Sequence, residues 1–305
     1  MTDTNPTAPS DFDNYWQTVL DALAETPTAP EETWLPLRSG TGHRTYQVHL
    51  TSIGPYRISG YLSLPKGDGP FPAVYLFPRY MSVIEPLTQG LATAKREQCA
   101  VFALAARGHR NADQPYRAFF PGMLTEQAER PEYYPFRGVV ADCVRGLEYL
   151  AEHPAIDRTR IALLGLSELP LLTAALRPDG CCISSHPGLF YRSRDLAPRF
   201  RVYPQEEIND YCRLTPEKSE QLFQTLSYFD PVNFVSRIES PTLLWAGAES
   251  APWNCEELEP LRALFQCPVE LKQGTGSTIE DGLFREHWVA QHQKTQPDIP
   301  IIWQR

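Results

Sequence analysis

The sequence predicts an α/β chain: a doubly wound, mostly parallel sheet with a cap region inserted in its carboxyl-terminal half. Three observations carry that expectation. From residue 73 onward, short apolar runs alternate with segments whose apolar residues recur at helical spacing. Residues 186–238 then break the alternation with a long, aromatic, proline-punctuated stretch. Prolines number 29 in 305 residues, about twice the ordinary ~5%, which stiffens loops and stops helices sharply.

The elements are expected in the following order. Residues 1–10 form a loose tail. Ser10 or Asp11 caps a helix whose stripe is Phe12, Tyr15, Trp16, Val19, Leu20 and Leu23. The Pro/Thr/Glu segment 26–33 reads as a surface linker, so residues 1–33 form an amino-terminal extension. Strands follow at 45–52 and 56–64, and the turn 65–72 leads into an apolar strand at 73–77. Further strands are expected at 100–105, 160–165, 181–185, 242–247 and 269–272. The clearest helix between them carries Phe136, Val139, Val140, Cys143, Val144, Leu147 and Leu150 on one face. Arg137, Asp142, Arg145 and Glu148 lie on its other face, a solvated or inter-element charge pattern. No internal repeat or low-complexity block interrupts the chain.

Composition narrows the function classes. Apolar residues make up 42% and charged residues 21%, which excludes a disordered chain, a collagen-like repeat and a coiled coil. A net charge of −9 repels phosphate backbones, so no nucleic-acid partner is expected. No run approaches the ~18 apolar residues of a membrane span, and the first ten residues lack the basic and apolar regions of a secretory signal. A cytoplasmic protein with no membrane partner is the expectation. Seven cysteines without a C-x-x-C pair read as free thiols in a reducing compartment, with no zinc site and no cofactor.

Residues 161–170 read Ile-Ala-Leu-Leu-Gly-Leu-Ser-Glu-Leu-Pro: an apolar strand, then Gly-x-Ser, then a helical run. That is the context of a nucleophile elbow, in which a serine sits on a strained strand-to-helix turn with its hydroxyl exposed. Gly165 is the small residue two before Ser167. The second glycine, two after the serine, is replaced by Leu169, and Pro170 suits a first helical turn.

Segments along nearly the whole chain resemble the acetyl xylan esterase / cephalosporin C deacetylase family of α/β-hydrolases, carbohydrate esterase family seven. They are DFDNYWQTVLDAL, RISGYLSLPKG, the ARG of residues 106–108, YYPFRGVVADCVRGLEYL, LSYFDPVNFVSRI and SPTLLWAG. The resemblance implies one α/β-hydrolase domain over residues 1–305, a small-molecule ligand or ester substrate, and often a homo-oligomeric ring. It places Arg107, Asp142 and Arg145 in the scaffold.

The departures from the family pattern fall on its catalytic positions. The family's aspartate falls on Ser250, with Glu249 beside it, and its histidine falls on Ser277 in the turn Gly-Thr-Gly-Ser-Thr. The oxyanion-loop pattern H-G-Y reads Pro78-Arg79-Tyr80. Backbone N–H groups of Tyr80 and Glu168 are the expected oxyanion donors. A serine hydroxyl is a poor nucleophile without an adjacent base. His186 and His109, each following a strand, are candidate surrogate bases, because ligands in such sheets bind at the carboxyl ends of strands. Glu168 as a carboxylate base and Glu249 as a surrogate acid are weaker candidates. Arg79 is a candidate ligand-binding cation for a carboxylate or phosphate, against the blander alternative of a surface salt bridge. His43, His49, His153, His287 and His292 read as surface or helix-face residues.

Three functional readings follow. The favoured one is a pseudo-hydrolase that binds a small acyl- or sugar-like ligand near Ser167. The second is an enzyme, a deacetylase or a non-hydrolytic catalyst, using Ser167 with a surrogate base. The third is an assembly subunit.

Overall fold

The computed structural model of the chain describes residues 8–84, 97–109, 118–247 and 253–299. Strands β1 (Glu31–Trp34), β2 (His43–Thr51), β3 (Arg57–Pro65), β4 (Phe71–Leu76), β5 (Ala100–Ala105), β6 (Ile156–Leu164), β7 (Cys182–Ser185), β8 (Thr242–Ala246) and β9 (Val269–Gln273) form one sheet. Their order is β1-β2-β3-β5-β4-β6-β7-β8-β9. Pairing is antiparallel from β1 through β3 to β5, and parallel from β5 across to β9. The chain has the α/β-hydrolase fold, with the parallel strands delivering their carboxyl ends to one edge.

Helices α1 (Phe12–Glu25), α2 (Pro135–Glu152) and α3 (Leu169–Leu176) belong to the larger apolar cluster, together with residues of the central strands. The predicted stripe of α2 is buried throughout, and Pro135 sits in its first turn, where a missing N–H costs nothing. Two charges on its other face are inter-element rather than solvated. Asp142 is fully buried against Arg107. Arg145 donates to the Leu23 and Thr26 carbonyls at 2.6 and 2.7 Å, satisfying the carboxyl end of α1.

Between β7 and β8 lie α4 (Ser193–Leu196), α5 (Glu206–Leu214) and α6 (Ser219–Ser227), followed by two 3₁₀ turns. Helix α7 (Cys255–Arg262) joins β8 to β9, and α8 (Thr278–Gln293) covers the opposite face of the sheet. There Trp288 and Val289 pack on Ala162, Cys182, Leu243 and Trp245. Gln293 closes that layer, donating to the Ala73 and Arg160 carbonyls.

Two expectations need correction. The segment 26–33 is not wholly a linker: β1 pairs Glu31–Trp34 with Tyr46–His49. All four of its residues are exposed, so no apolar alternation marks it, and its charge is what an edge strand needs to resist further pairing. Asp11 occupies the cap position of α1 without capping it. Its carboxylate instead accepts from the Tyr228 hydroxyl at 2.5 Å. All seven cysteines are free thiols. No helix among the described residues is long and apolar enough to cross a membrane.

Candidate functional site

The register of the central strands fixes where Ser167 sits. Leu76 of β4 lies beside Leu164 of β6, and Leu164 beside Ser184 of β7. The ladder continues into the turn, because Phe77 N–H donates to Leu164 and Gly165 N–H to Ser184. Gly165 is required by packing: a Cβ there would come within 2.6 Å of Pro170 Cγ and 3.1 Å of Phe77 Cβ. The Ser185 hydroxyl then holds the Ser167 carbonyl at 2.7 Å.

The turn so built is not a strained elbow. Ser167 is absent from the non-glycine residues with positive φ, which among the described residues are Ala29, Met81, Gln127, Arg192 and Lys294. It is 2% exposed, while Leu166 before it is 47% exposed. The tip of the turn is therefore leucine, and the serine faces inward. Ser167 Oγ accepts a long hydrogen bond of 3.4 Å from Leu169 N–H, a local side-chain-to-backbone contact that serines favour at helix starts.

Glu168 is fully buried and engaged. Its carboxylate accepts from the backbone N–H groups of Gly188 (2.6 Å), Leu189 (2.8 Å), Phe190 (3.0 Å) and Tyr191 (3.1 Å). Burial pushes its proton affinity up, and those N–H groups pull it back down, its own backbone N–H among them. The residue thus ties the loop after β7 to the serine turn. It shares the N–H expected of an oxyanion donor with its own side chain.

Tyr80 places its phenol away from the serine turn. It donates to Glu207 Oε2 at 2.5 Å and accepts from Leu124 N–H at 3.2 Å. Burial first, and then the Glu207 carboxylate, push that phenol well up. Arg79 is exposed. Arg107 donates its backbone N–H and two guanidinium N–H groups to Asp142, at 2.8 to 2.9 Å.

The histidines differ. Both ring nitrogens of His109 face carbonyl oxygens, Nδ1 at 2.9 Å from Ala106 O and Nε2 at 2.8 Å from Arg79 O. Neither is turned to Ser167. His186 stacks on Trp245 with ring centroids 5.5 Å apart and planes 5° from parallel. Its Nε2 is buried with no hydrogen-bond partner. Burial, and then the charge of Arg285, lower its pKa from 6.5 to about 4. His186 is thus a neutral imidazole at ordinary pH.

Ser277 caps α8, accepting from Glu280 N–H at 3.3 Å. Glu249 and Ser250 lie outside the described residues. No cluster of metal-ligating side chains occurs among the described residues.

Space at this edge is small. Arg79, Tyr80, His109 and Leu169 help line a cavity of about 20 Å³. A cavity of about 390 Å³ instead lies beneath the loop that Glu168 holds, between Phe190, Arg192, Phe223 and Asp230. Asp230 is fully buried, and burial pushes its carboxyl up to about 7. Sequence reading missed this cavity, since the segment YFDPVNF offers only an unremarkable aspartate. It also missed Arg285. Asp281 and Arg285 look like an ordinary surface pair four apart on a helix, yet both are half-buried and form no salt bridge with each other.

Comparison with known proteins accords with this architecture. Residues 3–251 match the family model "Acetyl xylan esterase (AXE1)". The matched span stops before the turn that holds Ser277. A curated relative, acetyl esterase Axe7A from Xylanibacter ruminicola, is 27% identical over 263 residues, 78% of this chain. The alignment covers 56% of that relative, so the chain spans a little over half its length. Acetyl xylan esterase 1 from Thermoanaerobacterium sp. JW/SL YS485 superposes with a TM-score of 0.82 at 22% identity, covering 94% of this chain and 95% of that one. The acetyl xylan esterase from Paenibacillus sp. R4 gives 0.77 at 22% identity, covering 93% and 95%. Fold and family match agree: the chain belongs to the acetyl xylan esterase family of α/β-hydrolases.

Proposed function

We propose that this α/β-hydrolase does not cleave esters through a Ser–His–Asp triad and instead binds a small acyl- or sugar-like ligand beside Ser167. The observation that carries this reading is the serine turn. Leu166 takes the exposed position, Ser167 is buried without left-handed backbone, and its hydroxyl points to Leu169 N–H. Nucleophilic attack needs the hydroxyl at the surface of the crevice, with a base within about 3.2 Å. Among the described residues no imidazole or carboxylate makes a hydrogen bond to Ser167 Oγ. The test is steady-state hydrolysis of p-nitrophenyl acetate by the wild type beside Ser167→Ala. The two rates are expected to agree within about twofold. A wild-type rate more than about tenfold higher overturns the reading, because loss of an active triad serine costs orders of magnitude.

A second reading, ester hydrolysis by Ser167 with a surrogate base, has one observation in its favour. His186 presents a neutral ring with an unpartnered buried Nε2, which is the state a general base requires. His109 has less to support it, since both its nitrogens are engaged. Under this reading His186→Ala lowers the rate as far as Ser167→Ala does. Under the first, it leaves the rate unchanged.

A further inference from the structure

The edge of the sheet beside Ser167 collects positive charge without a carboxylate to match it. Trp245, at the end of β8, stacks on His186 and meets Phe284 of α8 edge-on, with centroids 5.9 Å apart and planes at 83°. That aromatic row seats the amino-terminal half of α8 over the ends of β7 and β8. Arg285 follows Phe284 directly and is half-buried. Arg79 arrives from the neighbouring β4 exit, lining the crevice with Leu169 and His109. The three groups sense one another. The charge of Arg285 suppresses protonation of His186, and the charge of Arg79 lowers the proton affinity of Arg285, after burial as the larger cause.

The nearby carboxylates are committed elsewhere. Asp281, one turn before Arg285, accepts from Thr275 N–H at 3.0 Å and from the Thr275 hydroxyl at 3.0 Å. Glu286 accepts from Asp298 N–H at 2.9 Å. Neither the Arg285 nor the Arg79 guanidinium has a hydrogen bond or ion pair among the described residues. A partly desolvated cation without a partner is costly, and a second cation beside it adds repulsion. Natural sequences retain such arrangements where a ligand relieves them.

We propose that Arg79, Arg285 and His186 form an oxyanion-receiving site that takes the carboxylate or phosphate group of a small ligand at the mouth of the Ser167 crevice. The inference rests on the reading that this edge binds a ligand, and it names that ligand's class. A planar guanidinium offers two parallel N–H groups to such a group. His186, in the tautomer with hydrogen on Nε2, adds a neutral donor. The crevice itself is too small to admit more than a fragment, so the remainder of the ligand lies outward from Arg79.

The test is calorimetric titration of the full chain with inorganic phosphate and, separately, with acetate, at ionic strength held constant with sodium chloride. Saturable one-to-one binding of at least one of them is expected, the tighter of the two identifying phosphate or carboxylate. Arg79→Gln and Arg285→Gln should each weaken it at least tenfold. Arg38→Gln, an exposed arginine on the β1–β2 connection, should leave it unchanged. No saturable binding, or an equal loss in Arg38→Gln, overturns the proposal. Arg285→Gln carries a second readout, its melting temperature without anion. Relief of an unmatched cation predicts a value equal to or above the wild type, whereas a marked fall means that Arg285 is held by the fold and overturns the assignment. Binding is read here without turnover. Ester hydrolysis dependent on Ser167 would therefore defeat the pseudo-hydrolase reading while leaving the anion result to stand or fall alone.

Discussion

The two sides of the Ser167 turn treat polar groups in opposite ways. Toward α2 and the 186–238 region, buried charge is matched. Glu168 collects four backbone N–H groups, Asp142 receives three from Arg107, and the Tyr80 hydroxyl joins Glu207 to Leu124. Toward α8, His186 Nε2 is buried and unpartnered, and Arg285 is half-buried without an ion pair. The first side is scaffold, because satisfied buried networks rigidify a structure. The second holds unsatisfied groups that a ligand could satisfy. The difference separates residues that hold the turn from residues that would meet a ligand, although both kinds lie within a few positions of the same strands.

Substitutions that act on one side only can break or sharpen this contrast. The largest effect is expected at Glu168. Glu168→Ala leaves four buried N–H groups without their acceptor and should cost roughly 3–5 kcal/mol in chemical denaturation. A loss below about 1 kcal/mol would mean that the loop after β7 does not depend on it. Next is Gly165→Ala, whose new Cβ meets the Pro170 ring at 2.6 Å. Overpacking of that kind costs about 1–3 kcal/mol, read as a lowered denaturation midpoint with an unchanged slope.

The third concerns Asp230. Its folded carboxyl titrates near 7 against 3.8 unfolded, so its protonated form favours the fold. That contribution is complete below about pH 3.8 and is lost as pH rises through about 7. Melting temperatures of Asp230→Asn should therefore decline less than those of the wild type between pH 4 and 7. Parallel profiles would contradict the buried, protonated state.

The smallest effect lies on the unmatched side. His186→Phe keeps an aromatic ring on Trp245 and removes the orphaned nitrogen, with an expected gain of about 1 kcal/mol at neutral pH. The pKa of His186 is depressed from 6.5 to about 4, so its contribution is present above about pH 6.5 and is lost as pH falls toward 4. The advantage of His186→Phe should accordingly widen over that interval. A loss of stability at neutral pH would show that Nε2 has a partner in the folded protein.

The fold could be read from the sequence because its signals are local. Apolar runs such as Ala100–Ala105 are buried on both faces, and the α2 stripe keeps helical spacing over four turns. The edge strand β1 escaped detection because all its residues are exposed, leaving only backbone pairing to define it. The site was legible only in part. Ser167, Tyr80, Arg79 and His186 were marked by chain position after strands, and the structure brings them to the carboxyl edge. Their orientation was not readable. Whether Ser167 or Leu166 takes the tip of the turn depends on backbone dihedrals that Gly-x-Ser does not specify. Arg285 gave no signal, because its distinguishing property is a missing partner, which only the packed structure reveals.

The most direct test of whether Ser167 is an activated nucleophile is intact-mass measurement after incubation with an excess of a fluorophosphonate, which bonds covalently to activated serines. Burial of Ser167 and the absence of a base at its hydroxyl predict an unchanged mass in the wild type and in Ser167→Ala alike. A stoichiometric adduct in the wild type that disappears in Ser167→Ala would show an active serine and contradict the pseudo-hydrolase reading.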